Sequence, residues 1–152
     1  TVLIAGETTK SHEGFVNELK EKIKNEGLEN RILLLGKIHY DDEVPKLMRG
    51  LSIVTALSTI EGFGLPILEA MASGCAVVAS RTGAWEDIIN PKIHGKLVPC
   101  NDTKAAHKAL KELTANHSNL EKMGFKGRER IKEQFTIESE AKSLLNHYQS
   151  LH

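Results

Sequence analysis

The chain predicts an α/β fold built on a doubly wound parallel sheet. Two observations carry that expectation. Short, wholly apolar runs alternate with longer amphipathic segments in the order strand, helix, strand, helix. The runs are also apolar on both faces, as strands are when helices cover a parallel sheet from either side.

Taken in order, Val2-Leu3-Ile4-Ala5 reads as the first buried strand. Ser11 to Glu26 follows as a helix, with Phe15, Leu19 and Ile23 at a spacing of four and Gly27 near its end. Ile32-Leu33-Leu34-Leu35 is the next strand, and Asp41-Asp42 caps a short helix through Met48 with Pro45 in its early turns. Ser52 to Leu57 and Ala76-Val77-Val78-Ala79 complete the apolar strands. Thr103 to Leu113, Asn119 to Gln134 and Ile137 to Leu151 form a helical C-terminal half. Ligands of such sheets sit beyond the carboxyl ends of the strands, here the loops after Ala5, Leu35, Leu57 and Ser80.

The run from Glu61 to Gly74, EGFGLPILEAMASG, is the most informative stretch. Pro66 suits the first helical position and Gly74 the stop, while Gly62 and Gly64 let backbone N–H groups approach a ligand without side-chain obstruction. A phosphate at this helix start meets unpaired N–H donors and a partial positive charge. Glu61 precedes the glycines and Glu69 is expected in the first helical turn, so both acids can face one cleft and grip paired hydroxyls. The plainer alternative is that Glu69 complements the helix dipole and Glu61 is a solvated turn residue.

These residues resemble the E-x7-E signature of retaining glycosyltransferases of family four, which have the GT-B fold. Glu61 and Glu69 match the two glutamates and Gly62-Phe63-Gly64-Leu65-Pro66 the loop between them. The likeness continues through Gly74 to Ser80 and Gly83 to Ile89, and so covers most of the chain. Arg31 to Gly36, the Glu-Ala-Met-Ala-Ser run and Gly83-Ala84-Trp85 look closest to bacterial lipopolysaccharide-core mannosyltransferases.

The resemblance implies a Rossmann-like domain, residues 1–152, equivalent to the C-terminal, donor-binding half of a GT-B enzyme. Family members carry a Gly-Arg and a Lys-Gly motif on a strand and loop ahead of the point matching Thr1. Nothing here matches them, so the first strand is missing from the expected sheet. A truncated fragment, a sheet completed by a partner and a rearranged register are the alternatives. Residues 137–152 are expected as a C-terminal helix that packs on the absent N-terminal domain. Without that domain its stripe of Ile137, Ala141, Leu144, Leu145, Tyr148 and Leu151 favours self-association or disorder.

The same resemblance assigns roles. Glu61 is the catalytic candidate and contacts the hydroxyls of the donor sugar, the backbone of Gly62, Phe63, Gly64 and Leu65 binds sugar and phosphate, and Glu69 takes the ribose diol. The base stacks near Gly36-Lys37-Ile38, although Gly36 is equally an ordinary turn residue after a strand. Ser58 ends a strand on the cleft side, within reach of phosphate or as a local cap. Glu86 is expected to hold the helix start that follows Gly83 or a neighbouring loop.

The implied reaction moves a hexose, mannose from GDP-mannose in the closest case, onto a saccharide or lipid-linked saccharide acceptor. The donor is a GDP- or UDP-linked sugar used as substrate, with no cofactor. Donor binding without turnover is expected of this chain alone. A nucleotide-sugar epimerase, a glycoside hydrolase using the two glutamates, and a noncatalytic nucleotide-binding or assembly module are the alternatives. A hydrolase needs carboxyls opposed at about 5–9 Å and has no use for glycines leading into a helix start.

Composition narrows the partners. Lys and Arg total 20 and Asp and Glu total 20, so no net field draws the chain to nucleic acid or anionic membrane. Lys122, Lys126, Arg128, Arg130 and Lys132 alternate with Glu121, Glu129 and Glu133 and read as a solvated helix face rather than a lipid patch. The seven histidines lack the paired spacing of a metal site, so no metal is expected. Cys75 and Cys100 make no disulfide framework, which points to a cytoplasmic setting, peripheral at the inner membrane in a full-length enzyme. No apolar stretch approaches bilayer-spanning length.

Overall fold

The computed structural model describes residues 1–151. It divides into two compact units, Thr1–Val44 and Pro45–His152, each described here by itself.

In the first unit, β1 (Val2–Ala5) pairs in parallel with β2 (Ile32–Gly36), and α1 (Glu13–Asn25) lies between them in sequence behind a 3₁₀ turn at Lys10–His12. Gly27 then takes a positive φ of 64°, which ends the helix. The expected burial of these strands does not hold. Val2, Ile4, Leu33 and Leu35 are exposed, Phe15 is 67% exposed, and Ile23 is the one buried residue among those described in this unit. The helical periodicity is correct, but Phe15 and Leu19 line an open hollow with Ile4 and Leu34 rather than a closed core.

α2 (Glu43–Arg49) starts directly after Asp42, where the sequence places the cap. Glu43 reaches back from within the helix to accept from the His39 N–H at 2.6 Å.

The second unit holds a three-stranded parallel sheet in the order β3 (Ile53–Ala56), β4 (Ala76–Ser80), β5 (Gly95–Val98). The described strands therefore group as two sheets that share no ladder. β5 was not expected from the sequence, because Gly95 and Lys96 interrupt its apolar run. β4 is central and buried along its whole length, and its alternation divides the core. Val77 and Ala79 join Ile67, Met71, Trp85, Ile88 and Ile131 on one face. Ala76 and Val78 join Val98, Ala106, Leu113, Leu120 and Met123 on the other.

Around this sheet stand α3 (Leu65–Ala72), α4 (Trp85–Ile88), α5 (Thr103–Thr114) and α6 (His117–Gln134), while α7 (Ile137–Gln149) contacts α6. Asp102 caps α5 by accepting from the Ala105 N–H at 2.8 Å, and Asn116 caps α6 by accepting from Asn119 at 3.0 Å. Thr136 and Ser139 form a reciprocal capping box on α7. Although firmly started, α7 buries no residue: Ile137 is 83% exposed, and Leu144, Leu145 and Tyr148 are exposed as well. His152, the last residue of the expected 137–152 helix, lies outside the described residues.

Candidate functional site

The Glu61–Leu65 loop crosses from β3 to α3 at the carboxyl end of the sheet. α3 begins at Leu65, so Pro66 is its second residue rather than its first, and Glu69 its fifth. Glu69 thus lies beyond the first turn, where the helix dipole has little hold on it. The far end of α3 closes as expected. Gly74 has φ +86°, its N–H donates to Met71 at 3.0 Å, and the Cys75 N–H donates to Ala70 at 3.0 Å, the paired bonds of a Schellman motif.

At the front of α3, Gly64 is the N-cap residue, in the left-handed region at φ 77° and ψ 56°, and no side chain caps the helix. The N–H groups of Phe63, Gly64 and Leu65 have no hydrogen-bond partner among the described residues. Gly62 differs, because its N–H donates to Glu61 Oε1 at 3.2 Å. The Glu61 carboxylate thus already covers the first amide of the loop, and an anion seated here would meet the next three.

The reason for glycine at 64 is not the one the sequence suggested. Gly64 is buried, and a Cβ there would lie 1.8 Å from the Trp85 Nε1 atom. The missing side chain makes room for an indole rather than for a ligand. Gly62 is exposed with open space around it, as expected of a ligand-facing position.

The turn before α4 backs this loop closely. A Cβ on Gly83 would sit 2.3 Å from the Glu61 carbonyl oxygen and 2.5 Å from that of Gly62, and the Ala84 N–H donates to the Gly62 carbonyl at 3.2 Å. Thr82 Oγ1 donates to the Thr59 carbonyl at 3.4 Å. Glu86 holds this rim through an ion pair with Arg81 at 2.8 Å.

Glu69 is half-buried and lines an open groove of about 820 Å³, whose walls include Phe63, Leu65, Phe135, Glu140 and Leu144. Glu61 is not among its walls. Ser58 is half-buried after β3, and its carbonyl accepts from the Cys100 thiol at 3.8 Å. Glu61 to Leu65, Glu69 and Ser58 all belong to the second unit. Gly36, Lys37 and Ile38 belong to the first, where Gly36 closes β2 at φ 67° and Lys37 pairs with Glu7 at 2.9 Å on the surface.

Two residues with a part in this architecture were not singled out by sequence reasoning. Trp85, the chain's single tryptophan, is wholly buried beneath the glycine loop. Its place after the Gly83-Ala84 turn is the only signal the sequence holds. Arg130, grouped with a solvated basic face, instead donates from Nε to the Ile88 carbonyl at 2.8 Å and from an η nitrogen to Asp87 at 2.7 Å. It also lies over the Phe135 ring, 5.6 Å from its centroid.

Two buried titratable groups adjoin this framework. Burial pushes the Cys75 thiol up to about 11, and its Sγ donates to the Met48 carbonyl at 3.0 Å. His94, 5% exposed, is held below its ordinary value chiefly by burial and secondarily by the Arg130 charge. Its Nδ1 accepts from the Asn90 N–H at 3.1 Å, which keeps that nitrogen unprotonated. Among the described residues, no three His, Cys, Asp or Glu side chains gather as a metal site would require, and no helix is long and apolar enough to cross a membrane.

Comparison with known proteins agrees with this geometry. The chain is 34% identical over 151 residues to the lipopolysaccharide core biosynthesis mannosyltransferase LpsB of Rhizobium meliloti, covering 98% of this chain. It is also 34% identical over 151 residues to the corresponding mannosyltransferase LpcC of Rhizobium leguminosarum, covering 99% of this chain. It spans 42% of the length of each of these relatives. The crystal structure of the C-terminal domain of a group 1 glycosyl transferase (LpcC) from Francisella tularensis superposes with a TM-score of 0.85 at 36% identity, covering 90% of this chain and 70% of that one. That likeness bears out the Rossmann-like α/β fold and the C-terminal half of a GT-B enzyme. The family described as "Glycosyl transferases group 1" matches residues 1–130, and the chain belongs to it.

Proposed function

We infer that this chain is the donor-binding part of a retaining glycosyltransferase, which moves a hexose from a nucleotide-sugar onto a saccharide acceptor. The observation that carries the reading is the row of unpartnered N–H groups at Phe63, Gly64 and Leu65 where coil becomes helix, with Glu61 before them and Glu69 after. Such a row stabilises the charge that develops on a departing diphosphate. Glu61 meets the sugar hydroxyls, Glu69 accepts from the ribose diol, and Ser58 stands near the phosphates. Mannose is the hexose favoured by the similarity to the mannosyltransferases LpsB and LpcC, with GDP-mannose the proposed donor and lipopolysaccharide core or a related glycan the destination. The acceptor, free or lipid-linked, is bound by a further domain, with no metal or other cofactor, at the cytoplasmic side of the inner membrane. By itself the chain binds donor without transferring it.

Calorimetric titration with GDP, UDP and ADP tests the reading. Binding of at least one diphosphate is expected, and binding of none rejects it. Glu69→Ala is expected to weaken a ribose nucleotide about tenfold, the loss of a charge-assisted hydrogen bond, while leaving its 2′,3′-dideoxy counterpart unchanged. Equal weakening of both removes the diol role from Glu69.

A further inference from the structure

The loop that offers these N–H groups has no side-chain cap of its own, so something else must fix its backbone. The Gly64 carbonyl accepts the first helical bond from the Ile67 N–H at 3.1 Å. The same oxygen faces Trp85 Nε1 at 3.4 Å, a long bond, and the indole fills the space where a side chain at 64 would lie. One residue back, Ala84 binds the Gly62 carbonyl, and Gly83 abuts the carbonyls of Glu61 and Gly62. α4 cannot drift away from this contact, because Arg130 of α6 holds the Asp87 and Ile88 carbonyls at its far end. The carbonyls of Glu61, Gly62 and Gly64 are therefore turned onto the Gly83–Trp85 turn. Peptide planarity then turns the N–H groups of the following residues the other way.

We propose that Trp85 is the positioning residue of the donor loop: its indole fixes the Gly64 peptide, and with it the direction in which the Leu65 N–H meets a diphosphate, while the adjoining Ala84 fixes that of Phe63. The inference rests on the donor reading above. Trp85 touches no phosphate. It acts through the loop, mostly by shape and less by its N–H, given the 3.4 Å distance.

The single tryptophan makes the idea measurable in the unaltered chain, with GDP and UDP as probes. A diphosphate that seats on the loop polarises the Gly64 peptide, whose carbonyl faces the indole, and so changes the field at the ring. Saturable change in tryptophan emission is expected, with the same Kd as calorimetry. Trp85→Phe keeps an aromatic wedge and loses the donor, and is expected to weaken the diphosphate about threefold with unchanged circular dichroism. Trp85→Leu loses the wedge and is expected to weaken it at least tenfold. Emission that stays constant at saturation overturns the proposal, and so does diphosphate affinity within twofold of wild type in both variants. If Trp85→Leu fails to fold, wild-type emission and Trp85→Phe decide the matter. A wild-type chain that binds neither diphosphate overturns the donor reading itself, and this inference with it. Binding by wild type that the variants retain removes only the role of Trp85.

Discussion

Gly64 meets two demands that no other residue type meets together. Its φ of 77° is in the left-handed region, and the place of its absent Cβ is occupied by an indole. Gly64→Ala adds backbone strain to a steric clash with a wholly buried ring. We expect a loss of roughly 2–4 kcal/mol in urea unfolding, since overpacking and a forced left-handed backbone act together. His94 makes a second prediction at this scale. Its proton affinity is lower in the folded chain than its ordinary value of 6.5, because burial and Arg130 oppose a charge there. The unfolded chain therefore binds the proton more readily. The contribution of neutral His94 to stability is fully present above about pH 6.5 and is lost as the pH falls from there through the lowered folded value. Urea midpoints measured from pH 7.5 down to 5 are expected to fall in wild type and to fall less in His94→Gln.

Among the elements, α4 is only four residues long and has no intrinsic stability, yet it carries both Trp85 and the turn that backs the glycine loop. It is held from outside, by burial of Trp85 and Ile88 and by the two carbonyl bonds to Arg130. Arg130→Met keeps a long side chain and removes those bonds together with the guanidinium over Phe135. About 1–2 kcal/mol of destabilisation is expected by chemical denaturation, with local amide exchange rising first at Ile88 and Ile89. This dependence also marks what could be read from the sequence. The strand β4 and the span of α3 with its glycine stop are visible because spacing, propensity and caps agree over a few consecutive residues. The glutamates and glycines of the loop are visible for the same reason. The pairings of Trp85 with Gly64 and of Arg130 with Ile88 join positions far apart in the chain, and nothing local announces them. β5 was hidden because its strand character comes from burial between β4 and α5, while Gly95 is needed for its close approach to the Val77 carbonyl.

At the scale of the whole molecule, the two units differ in how much they bury. The second has a strand with every residue inaccessible and apolar clusters on both faces of its sheet. The first has exposed apolar residues on both strands and one buried residue among those described. Amide exchange is expected to be slowest in β4 and markedly faster in β1 and β2, and equal protection of the two sheets would contradict this account. The doubly wound character followed from the alternation of apolar runs and amphipathic segments. The exposure of the first two strands did not, since an apolar run reads alike whether or not anything covers it.

The rim of the Glu61–Leu65 loop separates two properties that usually constrain each other. Gly64 and Trp85 lie inward, where exchange is costly, whereas Phe63 and Leu65 on either side of that glycine project into solvent. Evolution or a mutagenesis library can therefore vary the outward pair, and with it the surface beside the loop, at almost no expense to foldability.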